Sequence, residues 1–320
     1  MIFIVGRGRS GTTLLSRLLN QHPLISVSKE GMFLLNLKGK YQTTTIWNNH
    51  TLQLFVTDLL SDQRMVNWQL DKNELIKFLH NQVSLNSNYN TVCRLVYRYY
   101  AKLNGKSNQV LLIDKNPHHS LFLNQLIQLF PESKFIFITR NPLDNVLSYK
   151  KVNFDFNDSG LLAVRWKLFN DNILLFKKLH NDIVHTIKYE SLVLQPEKSL
   201  KKICSFIKVD YSPQLLSFHK NENSQFDWHK HLAEPINTNH IGKGEIEISN
   251  HDKELIASIC NSTSQKLGYS IIGNTNFTYF KTLPMFLFAY LRTTGEKLFF
   301  HIPFTIRIVF SNFLRKNIFK

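Results

Sequence analysis

Short apolar runs alternate with helical segments along most of the chain. Runs with apolar residues on nearly every position predict buried strands at 2–5, 24–27, 110–113 and 135–138. Consecutive apolar residues are typical of a parallel sheet that is covered on both faces. Apolar residues on one helical face predict helices near 12–21, 121–130, 161–180, 197–207 and 251–267, and a further strand is predicted near 183–187. This alternation predicts a doubly wound α/β fold of three layers, with a parallel sheet in the middle. The glycine-rich loop at residues 6–13 makes it a fold of the P-loop nucleotide-binding type.

Two stretches depart from this alternation. Residues 31–108 predict a helical insertion within a domain that we assign to residues 1–274. Residues 219–250 are polar and predict irregular structure. The insertion contains aromatic residues that suit either a buried core or a sugar-binding surface, and these are Trp47, Trp68, Tyr97, Tyr99 and Tyr100.

The C-terminal part of the chain, residues 275–320, differs from the rest in composition. Residues 276–320 contain a single acid, Glu296, among basic residues that are Lys281, Arg292, Lys297, Arg307, Arg315, Lys316 and Lys320. Apolar stretches there predict a helical appendage of two short helices. Two interpretations stay open: the helices pack on the main domain, or they lie on an anionic membrane surface.

Composition and charge exclude some of the classes to which this protein could belong. With 43% hydrophobic residues among 320, the chain has enough apolar surface for a large core, which excludes general disorder. The net charge of +16 predicts an anionic partner. Three widely spaced cysteines, without a CxxC pair, exclude a disulfide scaffold and a zinc ribbon. They favour a reducing compartment, and no signal-peptide pattern is visible, so we predict a cytoplasmic protein, peripheral on the membrane if the basic tail binds lipid.

A glycine-rich loop lies between the first predicted strand and the first predicted helix, and its sequence is Gly6-Arg7-Gly8-Arg9-Ser10-Gly11-Thr12-Thr13. Small residues let backbone N–H groups face an anion, and the start of a helix adds a positive dipole end. The loop therefore predicts a phosphate site. The motif of nucleoside triphosphatases, GxxxxGK[ST], has lysine where this chain has Thr12, which argues against an ATPase or kinase.

The loop at residues 9–15 resembles the 5′-phosphosulfate loop of the nucleotide-dependent sulfotransferases. Residues 135–148, a strand followed by Arg140 and Ser148, resemble their 3′-phosphate segment. Residues 189–196 resemble their Tyr-Glu-x-Leu segment, and residues 114–117 resemble the Lys-x-Pro of the tyrosylprotein and glycan enzymes. The matches span roughly residues 1–270. The chain thus resembles this family, nearest to its tyrosylprotein-like and glycan-like bacterial branch.

The resemblance implies transfer of a sulfuryl group from 3′-phosphoadenosine-5′-phosphosulfate (PAPS) to an acceptor hydroxyl, by in-line displacement and without a metal. The product nucleotide would be adenosine 3′,5′-bisphosphate (PAP). The residues that it implies for nucleotide binding are Arg9, Ser10, Gly11, Thr12, Thr13, Arg140, Ser148, Tyr189 and Lys243.

The resemblance also implies catalytic roles. Glu30, which lies 21 residues after Arg9, corresponds to the general base, and histidines 118 and 119 are its rivals. Lys115 and Arg9 would stabilise charge on the transferring group. Thr238 belongs to a late loop that precedes Lys243 and would close over the nucleotide. Glu30, Lys115 and Arg140 each follow a predicted strand, and ligands of parallel α/β sheets bind at the carboxyl ends of strands.

The acceptor stays open between a glycan, a glycolipid and a peptidyl tyrosine, and we assign residues 31–108 to its side of the site. No nucleic-acid partner is predicted. The histidines of the polar stretch lack metal-ligand spacing, so no metal site is predicted. Two other function classes remain as alternatives: a P-loop kinase, and a non-catalytic nucleotide-binding protein that associates with membranes.

Overall fold

The computed structural model describes residues 1–152, 155–217, 236–271 and 279–299, together with residues 302, 304, 306, 307 and 309. Its centre is a five-stranded sheet in the order β2-β3-β1-β4-β5, in which every neighbouring pair is parallel. The strands are β1 (Ile2–Val5), β2 (Ile25–Val27), β3 (Leu111–Lys115), β4 (Lys134–Thr139) and β5 (Val184–Lys188). This sheet confirms the predicted α/β fold.

Helices cover both faces of the sheet. In chain order they are α1 (Thr12–Asn20), α2 (Phe33–Asn36), α3 (Lys38–Tyr41), α4 (Asn49–Ser61), α5 (Lys72–Gln82), α6 (Tyr89–Leu103), α7 (Leu123–Leu129), α8 (Pro142–Lys150), α9 (Ser159–Leu179), α10 (Tyr189–Leu194), α11 (Pro196–Ile207), α12 (Lys243–Glu247), α13 (Asn250–Lys266) and α14 (Tyr279–Phe299). Short 3₁₀ turns occur at Gln63–Trp68, Pro117–Leu121, Asn181–Ile183 and Pro213–Leu216.

The side chains of successive residues in β1 point to opposite faces of the sheet and pack into different apolar clusters, as in any strand. Phe3 and Val5 join one apolar cluster, and Ile2 and Ile4 join the other. All four are almost fully buried, which explains why the strand is apolar on consecutive positions.

Residues 31–108 form α2 to α6 with one 3₁₀ turn. The aromatic residues named above belong to the buried core of this region, because Trp47, Trp68, Tyr97, Tyr99 and Tyr100 are all nearly inaccessible to solvent. Trp68, for example, contacts Tyr100 with ring centroids 4.8 Å apart. The core interpretation of these residues is therefore correct, and none of them forms an open sugar-binding surface.

The C-terminal helix α14 is longer than the short helix predicted there, with 21 residues. Arg292 and Glu296 stand one turn apart, pair with each other, and also pair with Arg165 of α9 and with Asp155. These contacts explain why the helix continues past its apolar stretch. Within the described ranges, no helix has the length and apolar character that would let it cross a membrane.

Candidate active site

The phosphate loop joins the end of β1 to the start of α1, as predicted. Gly11 caps α1 in the left-handed backbone region, with φ of 94°. A Cβ atom at this position would lie 2.5 Å from the ring of Tyr189, so only glycine fits. Ser10 is buried, and the amide of Asn145 in α8 donates to its Oγ at 3.0 Å and to the carbonyl oxygen of Gly8 at 2.9 Å. Thr12 and Thr13 form the first turn of α1.

Two arginines meet beside this loop. Arg140, directly after β4, donates from Nη1 to the carbonyl oxygen of Arg9 at 3.1 Å, and its guanidinium lies 4.6 Å from the ring centre of Tyr189. Arg9 donates from Nε to Oγ of Ser148 at 3.1 Å. Residues separated by more than 130 positions therefore converge where the sequence predicted a phosphate site.

An arginine as little exposed as these two cations usually pairs with a carboxylate. In the part of the chain that the structure describes, neither Arg9 nor Arg140 forms an ion pair with a carboxylate, and Nε of Arg140 is buried without a hydrogen-bond partner. Burial lowers the pKa of Arg9, and the charge of Arg140 lowers it further. An anion bound between them would relieve this repulsion and supply the missing acceptor.

The other arginine of the loop, Arg7, has a different environment. Its side chain is buried, forms an ion pair with Asp155, and lies 4.1 Å from the ring centre of Tyr149. Arg165 also approaches Asp155, at 3.5 Å. Arg7 thus anchors the loop to the protein. Sequence reasoning missed Asp155, since nothing in the local sequence links it to a loop almost 150 residues away.

A buried carboxylate holds the loop around Lys243 next to Arg140. Asp144 of α8 accepts hydrogen bonds from the backbone N–H of Gly242 at 2.9 Å and of Gly244 at 2.7 Å, on either side of Lys243. Arg140 donates to the carbonyl oxygen of His240. No signal in the sequence indicated this role of Asp144, because Gly242 and Gly244 lie about 100 residues further along the chain.

The remaining part of this loop is more exposed. The carbonyl oxygen of Thr238 accepts from the N–H of Ile241 at 2.9 Å, and the residue itself is exposed. Thr238 therefore lies in the same turn as His240, although no contact of its hydroxyl with the two arginines exists among the described residues. Residues 218–235 of the polar stretch fall outside the described residues.

Glu190 is a second carboxylate whose role only the structure reveals. Its Oε1 accepts from the N–H of Asn141 at 2.8 Å, and its Oε2 accepts from the hydroxyl of Tyr269 at 2.9 Å. Because Asn141 follows Arg140 in sequence, this contact joins the end of β4 to the start of α10. Tyr189, the neighbour of Glu190, is thereby held under the Arg140 guanidinium.

Glu30 and Lys115 form an ion pair at the ends of the neighbouring strands β2 and β3. The distance from Oε1 of Glu30 to Nζ of Lys115 is 2.6 Å. The lysine side chain is only 10% exposed, whereas that of Glu30 is 48% exposed. Asn116 fixes the following backbone, because its amide donates to the carbonyl oxygen of Gly31 at 3.1 Å. The carboxylate therefore faces solvent and the ammonium lies behind it.

The two histidines named as rival bases have separate environments. His119 is completely buried, and its Nδ1 lies 2.9 Å from Oδ1 of Asp114. In this structure its ring therefore cannot contact the hydroxyl of an acceptor substrate. His118 is partly accessible, and its ring packs against Phe122 and Phe169. Burial lowers the pKa of His118 to about 4, so it is neutral at pH 7.

The parallel sheet and its phosphate loop define an α/β protein with a P-loop-like fold. The sequence model of the sulfotransferase family matches residues 2–213, so the chain belongs to the sulfotransferase family. That match contains Glu30, Lys115, Arg140 and the whole phosphate loop.

Similar proteins include tyrosine sulfotransferases. The chain is 25% identical over 241 residues to a putative protein-tyrosine sulfotransferase of Caenorhabditis briggsae, a match that covers 71% of this chain and 72% of that protein. It is 24% identical over 225 residues to the protein-tyrosine sulfotransferase of Drosophila melanogaster, with 68% of this chain and 39% of that protein covered.

Two solved structures share the fold. The sulfotransferase domain of the Synechococcus PCC 7002 olefin synthase aligns with a TM-score of 0.59 and 24% identity, over 85% of this chain and 95% of that domain. The sulfotransferase domain of the curacin biosynthetic pathway aligns with a TM-score of 0.58 and 22% identity, over 85% of this chain and 98% of that domain.

Proposed function

We propose that this protein transfers the sulfuryl group of PAPS to an acceptor hydroxyl. The observation that carries the proposal is the contact between Arg9 and Arg140, two adjacent cations with no carboxylate partner in the described part of the chain. A nucleotide with phosphate groups at both ends of its ribose supplies the anions that such a site needs. The family and the fold support this choice of donor.

We call residues 6–13, Arg140, Tyr189 and the backbone at 242–244 the donor side. In the proposal, the backbone N–H groups at the start of α1 and the guanidinium of Arg9 bind the 5′-phosphosulfate. Arg140 and Ser148 bind the 3′-phosphate, and Tyr189 supports the Arg140 guanidinium from below. Asp144 holds the loop that carries Lys243, and that lysine covers the nucleotide.

We call Glu30 and Lys115 the acceptor side. Glu30 accepts the proton of the acceptor hydroxyl, the acceptor oxygen forms a bond to sulfur, and the bond between sulfur and the phosphate oxygen of the donor breaks. The electron pair of that bond leaves on the phosphate, which gives PAP. Lys115 stabilises the negative charge that builds up on the bridging oxygen. The ion pair supports this assignment, because it holds both groups together beyond the carboxyl ends of β2 and β3 before any ligand binds.

The acceptor in this proposal is a hydroxyl compound, and protein tyrosine is the first class to examine because relatives are named for it. Glycans and glycolipids carry the same reactive group and are the next classes. The exposed Glu30 carboxylate is compatible with a large acceptor, since it faces solvent.

We also propose that the protein resides in a reducing compartment such as the cytoplasm. All three cysteines are unpaired thiols, and all are buried. Burial raises the pKa of the Cys93 and Cys260 thiols well above their usual range, which keeps them protonated and poorly reactive. Such thiols fit a protein that makes no disulfides.

A thermal-shift experiment tests the choice of donor. PAP without Mg²⁺ should stabilise the protein more than ATP with Mg²⁺ does. Relative to the protein without ligand, PAP should add about 2.7 kcal/mol of unfolding free energy at a concentration about 100 times its dissociation constant. Equal or stronger stabilisation by ATP with Mg²⁺ would favour a P-loop kinase. If PAP binds, incubation with ³⁵S-labelled PAPS and tyrosine peptides, glycans or glycolipids identifies the acceptor. A protein that binds PAP but labels none of these classes would instead support the non-catalytic alternative.

A further inference from the structure

The C-terminal helix α14 has an unusual distribution of side chains. Its exposed face is apolar, with six side chains that are each 55–59% exposed, and these are Leu283, Leu287, Phe288, Tyr290, Leu291 and Leu298. A surface helix of a water-soluble domain normally shows the reverse, with polar residues outward. Contiguous exposed apolar patches mark interaction sites.

The inner face of α14 contains the charged residues. Glu296 lies 3.0 Å from Nη1 of Arg165 in α9, and Arg292 lies 3.4 Å from Asp155 and 3.3 Å from Glu296. Ala289 packs without any exposed surface on the same side. A rotation that buried the apolar face would remove Arg292 and Glu296 from these partners. The ion pairs therefore determine which face of the helix points to solvent.

Close packing also fixes the start of the helix. A Cβ atom at Gly160 of α9 would contact Met285 of α14, so the two helices approach each other closely there. Phe156 adds a second contact, with its ring 5.7 Å from that of Phe288 and 4.3 Å from the guanidinium of Arg292. The helix is thus attached to the domain, and its outer face remains available for a partner.

The charge of the chain, and of the sequence that follows α14, indicates what the partner is. Residues 297–320 contain no Asp or Glu, and their basic residues include Lys297, Arg315, Lys316 and Lys320. Arg307 is buried and donates to the carbonyl oxygen of Asn36, so it is not among the cations offered to a partner. A second copy of this chain would have the same net charge of +16, and the repulsion between two such copies opposes self-association through a basic region. An anionic lipid surface offers both an apolar layer for the leucines and negative charge for the lysines and arginines.

We propose that the apolar face of α14 docks on the surface of an anionic bilayer, with the helix lying in the plane of the interface. The proposal goes beyond sulfuryl transfer, and it concerns residues outside the donor and acceptor sides. Arg165 and Asp155 hold the docked helix on the domain, so the protein binds the membrane as a folded unit.

Vesicle flotation tests this proposal with the full chain. The protein should float with vesicles of phosphatidylcholine mixed with phosphatidylserine and not with vesicles of phosphatidylcholine alone, and high salt should reduce the bound fraction. The double variant Leu287→Ser, Leu291→Ser should lose at least about tenfold in affinity for the anionic vesicles, because it removes two apolar side chains from the interface.

A matched control comes from α9. Leu175 and Leu179 have the same spacing and are 61% and 67% exposed, so Leu175→Ser, Leu179→Ser removes equal apolar surface outside α14. This control should float like the original protein. Both double variants should keep the melting temperature and the PAP-induced shift, which shows that the fold and the donor site are intact.

Three results would overturn the proposal. The first is equal flotation of the α14 variant and the original protein. The second is equal binding to neutral and anionic vesicles. The third is a dimer in light scattering that the α14 substitutions dissociate, since a second copy would then be the occupant of the apolar face. The PAP-induced shift is measured on the same samples, so a failure of lipid binding is distinguishable from a failure of donor binding.

Discussion

On the donor side, Arg9 and Arg140 lie next to each other with no carboxylate partner among the described residues, whereas on the acceptor side Lys115 already pairs with Glu30 at 2.6 Å. The donor side therefore has an excess of positive charge before any ligand arrives. The acceptor side is close to neutral. The difference suits their proposed tasks, because one side must attract a polyanion and the other must remove a proton from a neutral hydroxyl.

The two sides also differ in how they are held. Three carboxylates support the donor side from outside it: Asp155 pairs with Arg7, Asp144 binds the backbone at 242–244, and Glu190 binds Asn141. The Glu30 carboxylate is half exposed and pairs with Lys115 near the ends of two strands. We therefore expect changes on the donor side to affect binding and stability, and changes on the acceptor side to affect turnover.

The largest expected effect is on the acceptor side. Glu30→Gln keeps the size of the side chain but removes the proton acceptor, so turnover should fall by about 10²–10⁴. PAP binding should stay unchanged, because Glu30 belongs to the acceptor side. Turnover is measured with labelled PAPS and the best acceptor from the screen.

His118→Asn is the matched test of the rival base. If Glu30→Gln keeps near-normal turnover and His118→Asn does not, the base is the histidine that follows Lys115. The sulfuryl-transfer proposal would survive that result, since it depends on the donor side.

A buried ion pair of the donor side should give the next largest effect. Asp155→Asn leaves Arg7 and Arg165 without their shared carboxylate, and breaking a buried pair in this way costs about 3–5 kcal/mol of unfolding free energy. Chemical denaturation at neutral pH measures the loss. Glu197→Gln, in the exposed pair with Lys201, is the control and should show no measurable change.

The same variant has a defined pH dependence. Burial alone would raise the pKa of Asp155, but the charges of Arg7 and Arg165 outweigh burial and hold the pKa below its usual value. The carboxylate therefore contributes stability above its ordinary pKa of about 3.9, and the contribution is lost as pH falls through the lowered pKa of the folded state. The stability difference between the original protein and Asp155→Asn should be constant near neutral pH and shrink in acid. A difference that grows in acid would contradict this assignment.

Arg140→Ala should weaken PAP binding by about 10- to 150-fold, which corresponds to the loss of a charge-assisted contact of about 1.5–3 kcal/mol. Calorimetric titration measures the change. Arg94→Ala is the control. Arg94 pairs with Glu132, just before β4, and its charge adds to burial in lowering the pKa of the Met1 amino group to about 5. Arg94 therefore lies near the amino ends of the strands, whereas Arg140 follows the carboxyl end of β4. Equal losses in both variants would mean that net charge, and not the site, determines the affinity.

Ser148→Ala should give the smallest effect. The hydroxyl accepts from Nε of Arg9, and its loss should weaken PAP binding by less than about tenfold, since a single partly exposed hydrogen bond contributes about 0.5–1.5 kcal/mol. A loss as large as that of Arg140→Ala would contradict the assignment of Ser148 to a single hydrogen bond with the 3′-phosphate.

Much of the donor side could be predicted from local sequence. The apolar strand at residues 2–5, the glycine loop after it and the helix from Thr12 are neighbours in the chain, and backbone geometry alone places the loop at a helix start. Arg140 was equally visible, because it directly follows a strand and precedes a proline-initiated helix. Each of these features depends on contacts within a few residues, which is the range over which sequence patterns are informative.

The strands, the phosphate loop and the positions of Arg140, Lys115 and Glu30 at strand ends could thus be predicted from residues that are close together in the chain. Three other features depend on how distant segments pack: Glu30 pairs with Lys115, His119 is buried against Asp114, and Asp144 holds a loop about 100 residues away. The tertiary structure also decided that α14 presents its leucines to solvent, because the partners of Arg292 and Glu296 lie on α9 and at Asp155. The physical reason is that these contacts depend on the order of strands in the sheet and on which helix faces meet, and neither is encoded by the spacing of residues within one segment.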